Sequence, residues 1–599
     1  MQADSEQRGV PRPTRSLDIP PGVLSISPVP TYPAGKSRGN GGIGLPLNII
    51  ARIVSYVGVP FLLSLFDSDL VFKLDDLGDI ARVTRTSRVL YYMTLPQLYQ
   101  RVSITSYPEI RYKNGRPEGY GGGSAFTVAL GALATHNAAT FVKDFRLRGS
   151  WKETATEQYS LGRVPDSSML LDIVIRAAID KMVNMEAFTW ELDTKPLKTV
   201  YQGLALRKSL TALSLVFPIS RTPKPTVLIP AIPNLKALRV SNLDPLCSQD
   251  DISLLLLGSK SLEDLRLHWS PRMRQNAEPS INLAALFGRC LAARHRLKIK
   301  HLAMQNFYGA NRGEFAEVFE PSSLVVADFI DVFGGAKGAS TNVYIDDTWK
   351  ALDESFKVRW KHHRTNEAAP QHVRILEEFT GLEYFYMVGT RRESRNPSTA
   401  STADGLTPGT VALSPPTPFA SPGKPGGQDP SIANLGNDYL HVLTKNHGST
   451  LKHLLLSEQF SITGEQIGQL VRNCPNLEQL GVALDRDTHE VLKLLIPFLP
   501  KLFAMRVLAN DSLLEEMGKE ENKERSEDLD AISRDLDKAG LRKLCWLGWA
   551  DRVIRIGGME QTVDGNGNPV WRRHVEWATL DDVKDVEIWK SDTLDIMLT

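Results

Sequence analysis

A short apolar phrase of the form Leu-x-x-Leu-x-Leu, or a close relative, recurs along this chain and constrains its fold more than any other feature. The clearest copies read NLKALRV from Asn234, SLEDLRL from Ser261, TLKHLLL from Thr450 and NLEQLGV from Asn476. The middle apolar residue marks each copy, and the twelve markers are Phe145, Phe188, Leu213, Leu238, Leu265, Leu302, Ala327, Phe385, Leu454, Leu480, Met505 and Leu544. Four steps between consecutive markers are 25 residues long, one is 26 and one is 27.

This spacing predicts a stack of similar units. Apolar residues two apart in a strand point to one side, and the residues between them point to the other. No unit covers its own apolar face, so neighbouring units must stack and align their strands in one parallel sheet. Steps of about 20 to 29 residues are typical of leucine-rich repeats. We therefore predict an α/β solenoid of irregular leucine-rich repeats with a parallel concave sheet. Chance alternation in an ordinary α/β protein is the alternative, and the six near-equal steps weigh against it.

The residues between markers supply the returning helices. An apolar stretch from Ile252 to Leu257 predicts a buried helix after one marker. Ile467 and Leu470 lie at helical spacing after another. Longer steps of 37, 58 and 69 residues, which end at Leu302, Phe385 and Leu454, indicate insertions between units.

Composition divides the chain into segments. Pro, Ser and Gly are frequent where apolar patterning is absent, which is typical of disorder. We predict a disordered tail at 1–44, a helical module at 45–104, repeats at 105–390, a disordered Pro/Ser/Gly-rich insertion at 391–437 and further repeats at 438–599, with a charged insertion near 515–537. A terminal hairpin is expected between Val553–Ile556 and Val570–Arg573, because a turn sequence, Asp564–Asn568, separates two strand-like runs.

Charge and cysteine usage exclude several classes of protein. Lys and Arg total 70 and Asp and Glu total 69, so there is no overall attraction to nucleic acid or to an anionic membrane. The four cysteines lie far apart, which fits neither a disulfide framework nor a zinc site, and we expect them to be core residues in a reducing compartment. Neither a secretory signal nor an apolar run of spanning length is visible. A cytoplasmic or nuclear protein, or one found in both, is expected.

A helical module precedes the repeats. In LPLNIIARIVSYV, which begins at Leu45, the residues Ile49 and Ile53 lie on one helical face. A second amphipathic helix is predicted through Leu77, Ile80, Val83 and Ser87, and an extended stretch, Leu98–Ile104, leads into the repeats. From the residues alone, this segment is a small helical bundle at the end of a solenoid.

The order of these parts resembles F-box and leucine-rich-repeat proteins of the fungal type. The Leu-Pro-x-x-Ile opening, the second helix and the exit LPQLYQRVSI look like an F-box, and CPNLEQL from Cys474 is similar to repeats of that family. The resemblance implies an adaptor of an SCF-type ubiquitin ligase, which binds a Skp linker subunit, and through it a cullin, while its repeats bind a target protein. The residues that it places against the Skp subunit are Leu45, Pro46, Ile49, Ile53, Leu77, Ile80 and Val83. The alternative is a repeat scaffold whose helical module only caps the solenoid.

The patterns that resemble cofactor-binding or metal-binding motifs lack residues or context that those motifs require. Gly39–Gly44 matches a dinucleotide-binding pattern, but it lacks the preceding strand. Asp564–Asn568 begins like a calcium loop but has Pro569 where that loop needs glycine. The adjacent pair His362 and His363 lies among charged residues and is expected to be solvated. We therefore predict no enzyme, no cofactor and no metal site.

The concave sheet face is the predicted surface for a target protein. Its side chains are those that alternate with the buried leucines, and most of them are polar. The candidate contact residues are Arg239, Asp264, Arg266, His268, His301, Gln305, His453, Gln479 and Lys543.

Overall fold

Parallel strands and returning segments alternate along the part of the chain that the computed structural model describes. The described residues are 81, 84–85, 88–113, 116–117, 119–120, 123–219, 226–244, 252–270, 283–306, 314–330, 358–366, 368–388, 430–484, 494, 496–508, 543–549, 552–563 and 567–597. All of them belong to one compact unit, Ile80–Thr599. None of the described helices is long and apolar enough to cross a lipid bilayer.

A single sheet contains seventeen of the described strands. They are β1 Arg101–Ser106, β2 Asp144–Gly149, β3 Ala187–Leu192, β4 Ala212–Val216, β5 Ala237–Leu243, β6 Asp264–Trp269, β7 His301–Gln305, β8 Val326–Ile330, β9 His362–Thr365, β10 Tyr384–Met387, β11 His453–Leu455, β12 Ser461–Ile462, β13 Gln479–Leu484, β14 Ala504–Leu508, β15 Trp546–Trp549, β16 Arg552–Val563 and β17 Pro569–Ala578. Consecutive strands pair in parallel from β1 to β11, and β11 pairs with β13, which continues in parallel to β15. The short β12 pairs with β13, and β16 and β17 close the sheet as an antiparallel hairpin, as predicted.

The described α-helices are α1 Arg88–Tyr99, α2 Ala125–Thr135, α3 Asp166–Lys181, α4 Lys198–Ala205, α5 Ser253–Gly258, α6 Leu283–Ala292, α7 Glu314–Val318, α8 Pro370–Glu377, α9 Pro430–Asn446, α10 Gly464–Asn473 and α11 Glu587–Lys590. Helices α2–α10 return the chain between strands, whereas α1 precedes β1 and α11 follows β17. Helices of neighbouring units pack on one another, for example α2 on α3 and α9 on α10. α10 begins with a capping box, in which Thr463 accepts from the backbone N–H of Gln466 and the Gln466 side chain accepts from the N–H of Thr463. This mostly parallel sheet with alternating helices is the arrangement of an α/β solenoid.

The marker residues form one continuous ladder in the core. Cross-strand pairs join Phe145, Phe188, Leu213, Leu238, Leu265, Leu302, Ala327, His363, Phe385, Leu454, Leu480, Met505 and Leu547 in register. Eleven of the twelve sequence markers are therefore correct. The last one was wrong by three residues, because Leu544 is the buried residue ahead of the strand, equivalent to Leu477 and Leu502, and Leu547 holds the ladder position.

The pair His362 and His363 is not solvated as expected. The two residues lie in β9, a strand that the repeat pattern missed, and His363 replaces an apolar marker in the ladder. Its ring is fully buried and stacks on Trp360, with 4.8 Å between the ring centroids. Its Nδ1–H donates to the carbonyl oxygen of Ala327 at 2.7 Å. Burial lowers the pKa of His363 to about 4, so the ring is neutral and packs like an aromatic residue.

A polar ladder beside six of the strands joins neighbouring units. The residue four positions before the marker is Asn184, Ser209, Asn234, Ser323, Thr450 or Asn476 in six of the units. Each asparagine side chain donates to a backbone carbonyl of the preceding unit, as Asn234 does to Lys208 at 2.8 Å and Asn476 does to Ser449 at 2.7 Å. The hydroxyl groups do the same, as Ser209 does to Met185. These bonds satisfy turn carbonyls that the sheet leaves unpaired.

Three local expectations need correction. Leu98 and Tyr99 end helix α1 and do not belong to the extended stretch, which begins at Arg101. The predicted disordered insertion 391–437 overlaps α9, which begins at Pro430; residues 391–429 lie outside the described part, as do 1–44 and 515–537. Cys290 and Cys474 are buried as expected, but Cys545 is exposed.

Removing one ladder side chain tests the stacking. Leu238 is fully buried in the sheet, so Leu238→Ala should lower the free energy of unfolding by about 2 to 5 kcal/mol, because a cavity remains. Leu206 at the end of α4 is 62% exposed, and Leu206→Ala should change the free energy by less than about 0.5 kcal/mol. Urea denaturation of both variants measures the difference, and equal losses would contradict the assigned ladder.

Candidate functional site

The face of the sheet opposite the returning helices α2–α10, which we call the helix-free face, consists of side chains that alternate with the marker ladder. Its central row, in register from β1 to β15, is Ser103, Arg146, Thr189, Ser214, Arg239, Arg266, Ala303, Asp328, Arg364, Tyr386, Leu455, Gly481, Arg506 and Gly548. The row changes character along the sheet. Small and polar side chains on β1–β5 are partly exposed, whereas most residues from β6 to β14 are buried.

The covering segment, Leu580–Met597, buries the second half of this face. Ile588 and Ile596 in the segment have no exposed surface. They join a hydrophobic cluster that is separate from the main core and whose other buried members are Ala303, Ile330, Tyr386, Val388, Leu455, Ala483, Ala504, Leu508, Val553, Val583 and Val586. The helix-free face is therefore two surfaces: an open half on β1–β5 and a covered half on β6–β14.

Three arginines form the floor of the covered half, and each donates to the covering segment. Arg266 Nη1 donates to the carbonyl of Ile596 at 2.9 Å, and its Nε donates to Asp264 at 3.1 Å. Arg364 Nη1 donates to the carbonyls of Ser591 and Thr593, both at 3.2 Å.

Arg506 makes the strongest of these contacts. Its Nη1 lies 2.7 Å from the Asp592 carboxylate and 3.4 Å from the Ile588 carbonyl. Its guanidinium carbon lies 5.8 Å from the Trp589 ring centroid. Gly548 lies beside this contact, and a Cβ there would come within 2.6 Å of the Trp589 ring. Glycine at this position is what allows the segment to approach the sheet.

Two glutamines accept from the same segment. Gln479 Oε1 accepts from the backbone N–H of Ile588 at 2.9 Å, and Gln305 Oε1 accepts from that of Ile596 at 3.4 Å. Sheet side chains thus bind both the N–H and the C=O groups of the segment. Its described residues form no strand of the sheet.

Asp328 is a buried carboxylate at the centre of the covered half. Its side chain is 2% exposed and receives a hydrogen bond from His301 Nε2 at 3.2 Å. Arg364 Nε lies 3.9 Å away. Burial raises the pKa of Asp328, but the hydrogen bond and the charges of His362, Arg364 and His301 lower it more, and the net pKa lies well below its ordinary value. The carboxylate is therefore ionised and balances the buried guanidinium of Arg364.

His453 and Tyr386 form a neutral pair beside this centre. The Tyr386 hydroxyl lies 2.7 Å from His453 Nδ1, and both side chains are buried. Burial lowers the pKa of His453 to about 4, with smaller contributions from the charges of His362 and Lys452. Burial also raises the pKa of Tyr386, so neither group carries a charge at neutral pH.

Most of the predicted contact residues lie on the helix-free face, but four of them are not accessible. Arg266, Gln305, His453 and Gln479 are buried under the covering segment. The others on this face, which keep some exposure, are Arg239, Asp264, His268 and His301. Lys543 does not belong to the face, because it lies in the turn before β15, four residues ahead of the ladder position.

Sequence reasoning missed Asp328, Arg364 and Arg506. The repeat pattern contained a signal for Arg506, because Arg506 lies next to an apolar marker that the pattern located. It contained no signal for Arg364, because β9 has no apolar marker.

The open half carries polar side chains that bind one another. Arg146 forms an ion pair with Glu191 across β2 and β3. Arg148 Nε donates to the Thr105 hydroxyl at 2.7 Å. Arg239 lies 3.8 Å from the Asp264 carboxylate and keeps more than a third of its side chain exposed. These contacts are solvent-exposed and weak, so a ligand can replace them at low cost.

The described strands and helices have the arrangement of an α/β solenoid whose helix-free face has one open half and one self-covered half. No protein-family model matches the chain, and no curated protein is significantly similar to it. Among the described residues, no three His, Cys, Asp or Glu side chains group as metal ligands. The seven residues expected to contact a Skp subunit, Leu45, Pro46, Ile49, Ile53, Leu77, Ile80 and Val83, lie outside the described part of the chain.

The neutral state of His453 predicts a pH dependence of stability. The folded pKa lies below the ordinary 6.5, so the contribution of His453 is complete above pH 6.5 and is lost as the pH falls toward 4. The free energy of unfolding of the wild type minus that of His453→Gln should therefore fall by up to about 3 kcal/mol between pH 7 and pH 4.

Asp172 provides a control of opposite sign. Burial raises the pKa of Asp172 to about 6, so its contribution is present at low pH and is lost as the pH rises through 6. The difference between the wild type and Asp172→Asn should therefore grow as the pH falls. Denaturant titrations at four pH values measure both differences. A pH-independent difference for His453→Gln would show that its ring is not held neutral.

Proposed function

We propose that this chain is the substrate-recognition adaptor of an SCF-type ubiquitin ligase. The observation that carries the proposal is the order of parts: an F-box-like sequence from Leu45 to Ile104 leads directly into a solenoid with one strand per unit. In this proposal the solenoid consists of irregular leucine-rich repeats, and the helical module binds a Skp-type subunit and through it a cullin. The chain itself catalyses nothing. It holds a target protein near the ligase and raises its effective concentration there.

The target protein would bind on the open half of the helix-free face. The four accessible candidates, Arg239, Asp264, His268 and His301, lie at or next to this half, whereas the buried ones are occupied by the covering segment. The exposed side chains of Arg146 and Arg148 extend the surface toward β1. The exposed arginines of this surface favour a target with a planar acidic group, since a guanidinium binds carboxylates through two parallel bonds.

A repeat scaffold without a ligase is the alternative, and recovery of the Skp subunit separates the two. Burying one apolar side chain contributes about 1.5 to 3 kcal/mol, so Leu45→Ala with Pro46→Ala should reduce co-purified Skp subunit by at least about tenfold. The matched control is Leu161→Ala with Leu206→Ala, two exposed leucines of the solenoid, which should leave recovery unchanged.

Two outcomes would count against this reading. Unchanged recovery with the Leu45 and Pro46 variant would place the Skp contact elsewhere in the chain. If the intact chain recovers no Skp subunit at all, the scaffold alternative holds.

Charge reversal on the open half tests the target surface. Arg146→Glu with Arg239→Glu should lower capture of the target protein by about tenfold, equivalent to 1.4 kcal/mol, because like charges would then face an acidic ligand. Arg163→Glu with Arg472→Glu reverses two exposed arginines outside the helix-free face and should have little effect. Quantitative mass spectrometry of proteins captured under proteasome inhibition provides the comparison, with the captured Skp subunit as internal reference. Equal capture by both variants would exclude the open half as the target surface.

A further inference from the structure

The covering segment contacts the sheet as a bound peptide would. The described residues of Leu580–Met597 contribute no strand, and their only regular structure is two short helical turns. Side chains of the sheet bind its backbone instead: three arginines donate to its carbonyls and two glutamines accept from its amides. Capture of a short peptide segment in a groove of a larger domain is a recurring mode of recognition.

The floor beneath the segment combines the apolar cluster described above with buried charges. Arg266, Arg364 and Arg506 are at most 5% exposed, and Asp328 is 2% exposed. Taking such charges out of water costs several kcal/mol for each ion, and ion pairs and hydrogen bonds return only part of that cost. If the segment leaves, water hydrates these groups and offsets the contacts that are lost. A purely apolar floor would gain nothing on exposure. The covered half is therefore suited to exchange of its occupant.

The occupant is recognised at four positions. Ile588 and Ile596 insert apolar side chains eight residues apart and are fully buried. Between them, Asp592 pairs with Arg506 at 2.7 Å. Arg364 Nη2 also donates to the backbone carbonyl of Asp595 at 3.5 Å. The groove thus selects a segment with an apolar residue, an acidic residue four positions later and a second apolar residue four positions after that.

We infer that the covered half is a peptide-binding groove occupied in cis by the chain's own segment, and that its partner is a protein segment of this same apolar and acidic pattern. The partner binds once the covering segment has moved out. This site is additional to the open half, and the inference does not depend on the proposed ligase function, because neither a Skp subunit nor a target protein takes part in it.

The test uses a full-length variant whose own segment is released. Ile588→Asp with Ile596→Asp removes both apolar anchors without changing the groove. The probe is a fluorescein-labelled peptide with the wild-type sequence of residues 579–597, and binding is measured by fluorescence anisotropy. The released variant should bind the peptide at least tenfold more tightly than the wild-type chain, whose groove is filled.

Two controls separate groove binding from other effects. The labelled peptide that carries the same two aspartates should not bind the released variant. The chain variant Leu580→Asp, changed at a residue of the segment that is 60% exposed, should remain closed and bind no better than the wild type. A folded released variant that fails to bind the wild-type peptide would overturn the inference.

Hydrogen exchange of the unmodified chain tests the inference even if the released variant does not fold. The amides of Ile588 and Ile596 should exchange at least a hundredfold faster than those of Phe188 and Leu213 in the main core, because the segment opens without unfolding the sheet. Exchange of both sets at one common rate would show that the segment is an inseparable part of the fold, and the inference would be wrong.

Discussion

The structure depends on one constraint: no single unit can cover its own apolar face. Each marker side chain is buried only because the next strand places another marker beside it, as Leu213 lies between Phe188 and Leu238. The asparagine and serine side chains ahead of the strands add hydrogen bonds between the same neighbours. Stability is therefore local to adjacent units, which is why the ladder tolerates steps of unequal length. A long insertion between two strands costs little stability, because the free energy of loop closure grows slowly with loop length.

This constraint applies to one face of the sheet and leaves the other free for recognition. On β1–β5 the free face keeps its polar side chains in water. On β6–β14 the same row contains buried arginines, and each of them has a compensating group: Asp264 beside Arg266, Asp328 beside Arg364 and Asp592 beside Arg506. Only the last of these carboxylates belongs to the covering segment. Two of the three charges are therefore balanced within the sheet itself, and the floor would remain electrostatically balanced in large part without its cover.

The sequence was sufficient for the parts that repeat. Eleven markers, the returns α5 and α10 and the terminal hairpin follow from apolar period and turn chemistry, since these signals lie within about 25 residues. β9 was not predicted because a neutral histidine occupies the apolar ladder position. The ring is neutral because it is buried, and its burial cannot be read from the sequence. The end of the disordered insertion was placed too late, at 437, because the first residues of α9 share the Pro- and Gly-containing composition of the segment before it. The covering segment could not be found at all, because Arg266 and Ile596 are 330 residues apart and nothing repeats between them.

A groove filled in cis changes how affinity relates to contacts. A partner segment that makes the same bonds as Ile588, Asp592 and Ile596 gains nothing over the covering segment, which is always present at high effective concentration. The apparent affinity of the partner segment is its affinity for the open groove multiplied by the fraction of molecules that are open. Each 1.4 kcal/mol by which the closed state is favoured therefore weakens binding by about tenfold. Tight binding thus requires either contacts beyond the groove or a partner that also occupies the adjacent open half. β6 lies at the boundary of the two halves, where Asp264 remains partly exposed while Arg266 beside it is buried. A ligand that spans this boundary gains contacts with the open half that the covering segment does not make, and this is the physical route by which a partner can displace the segment.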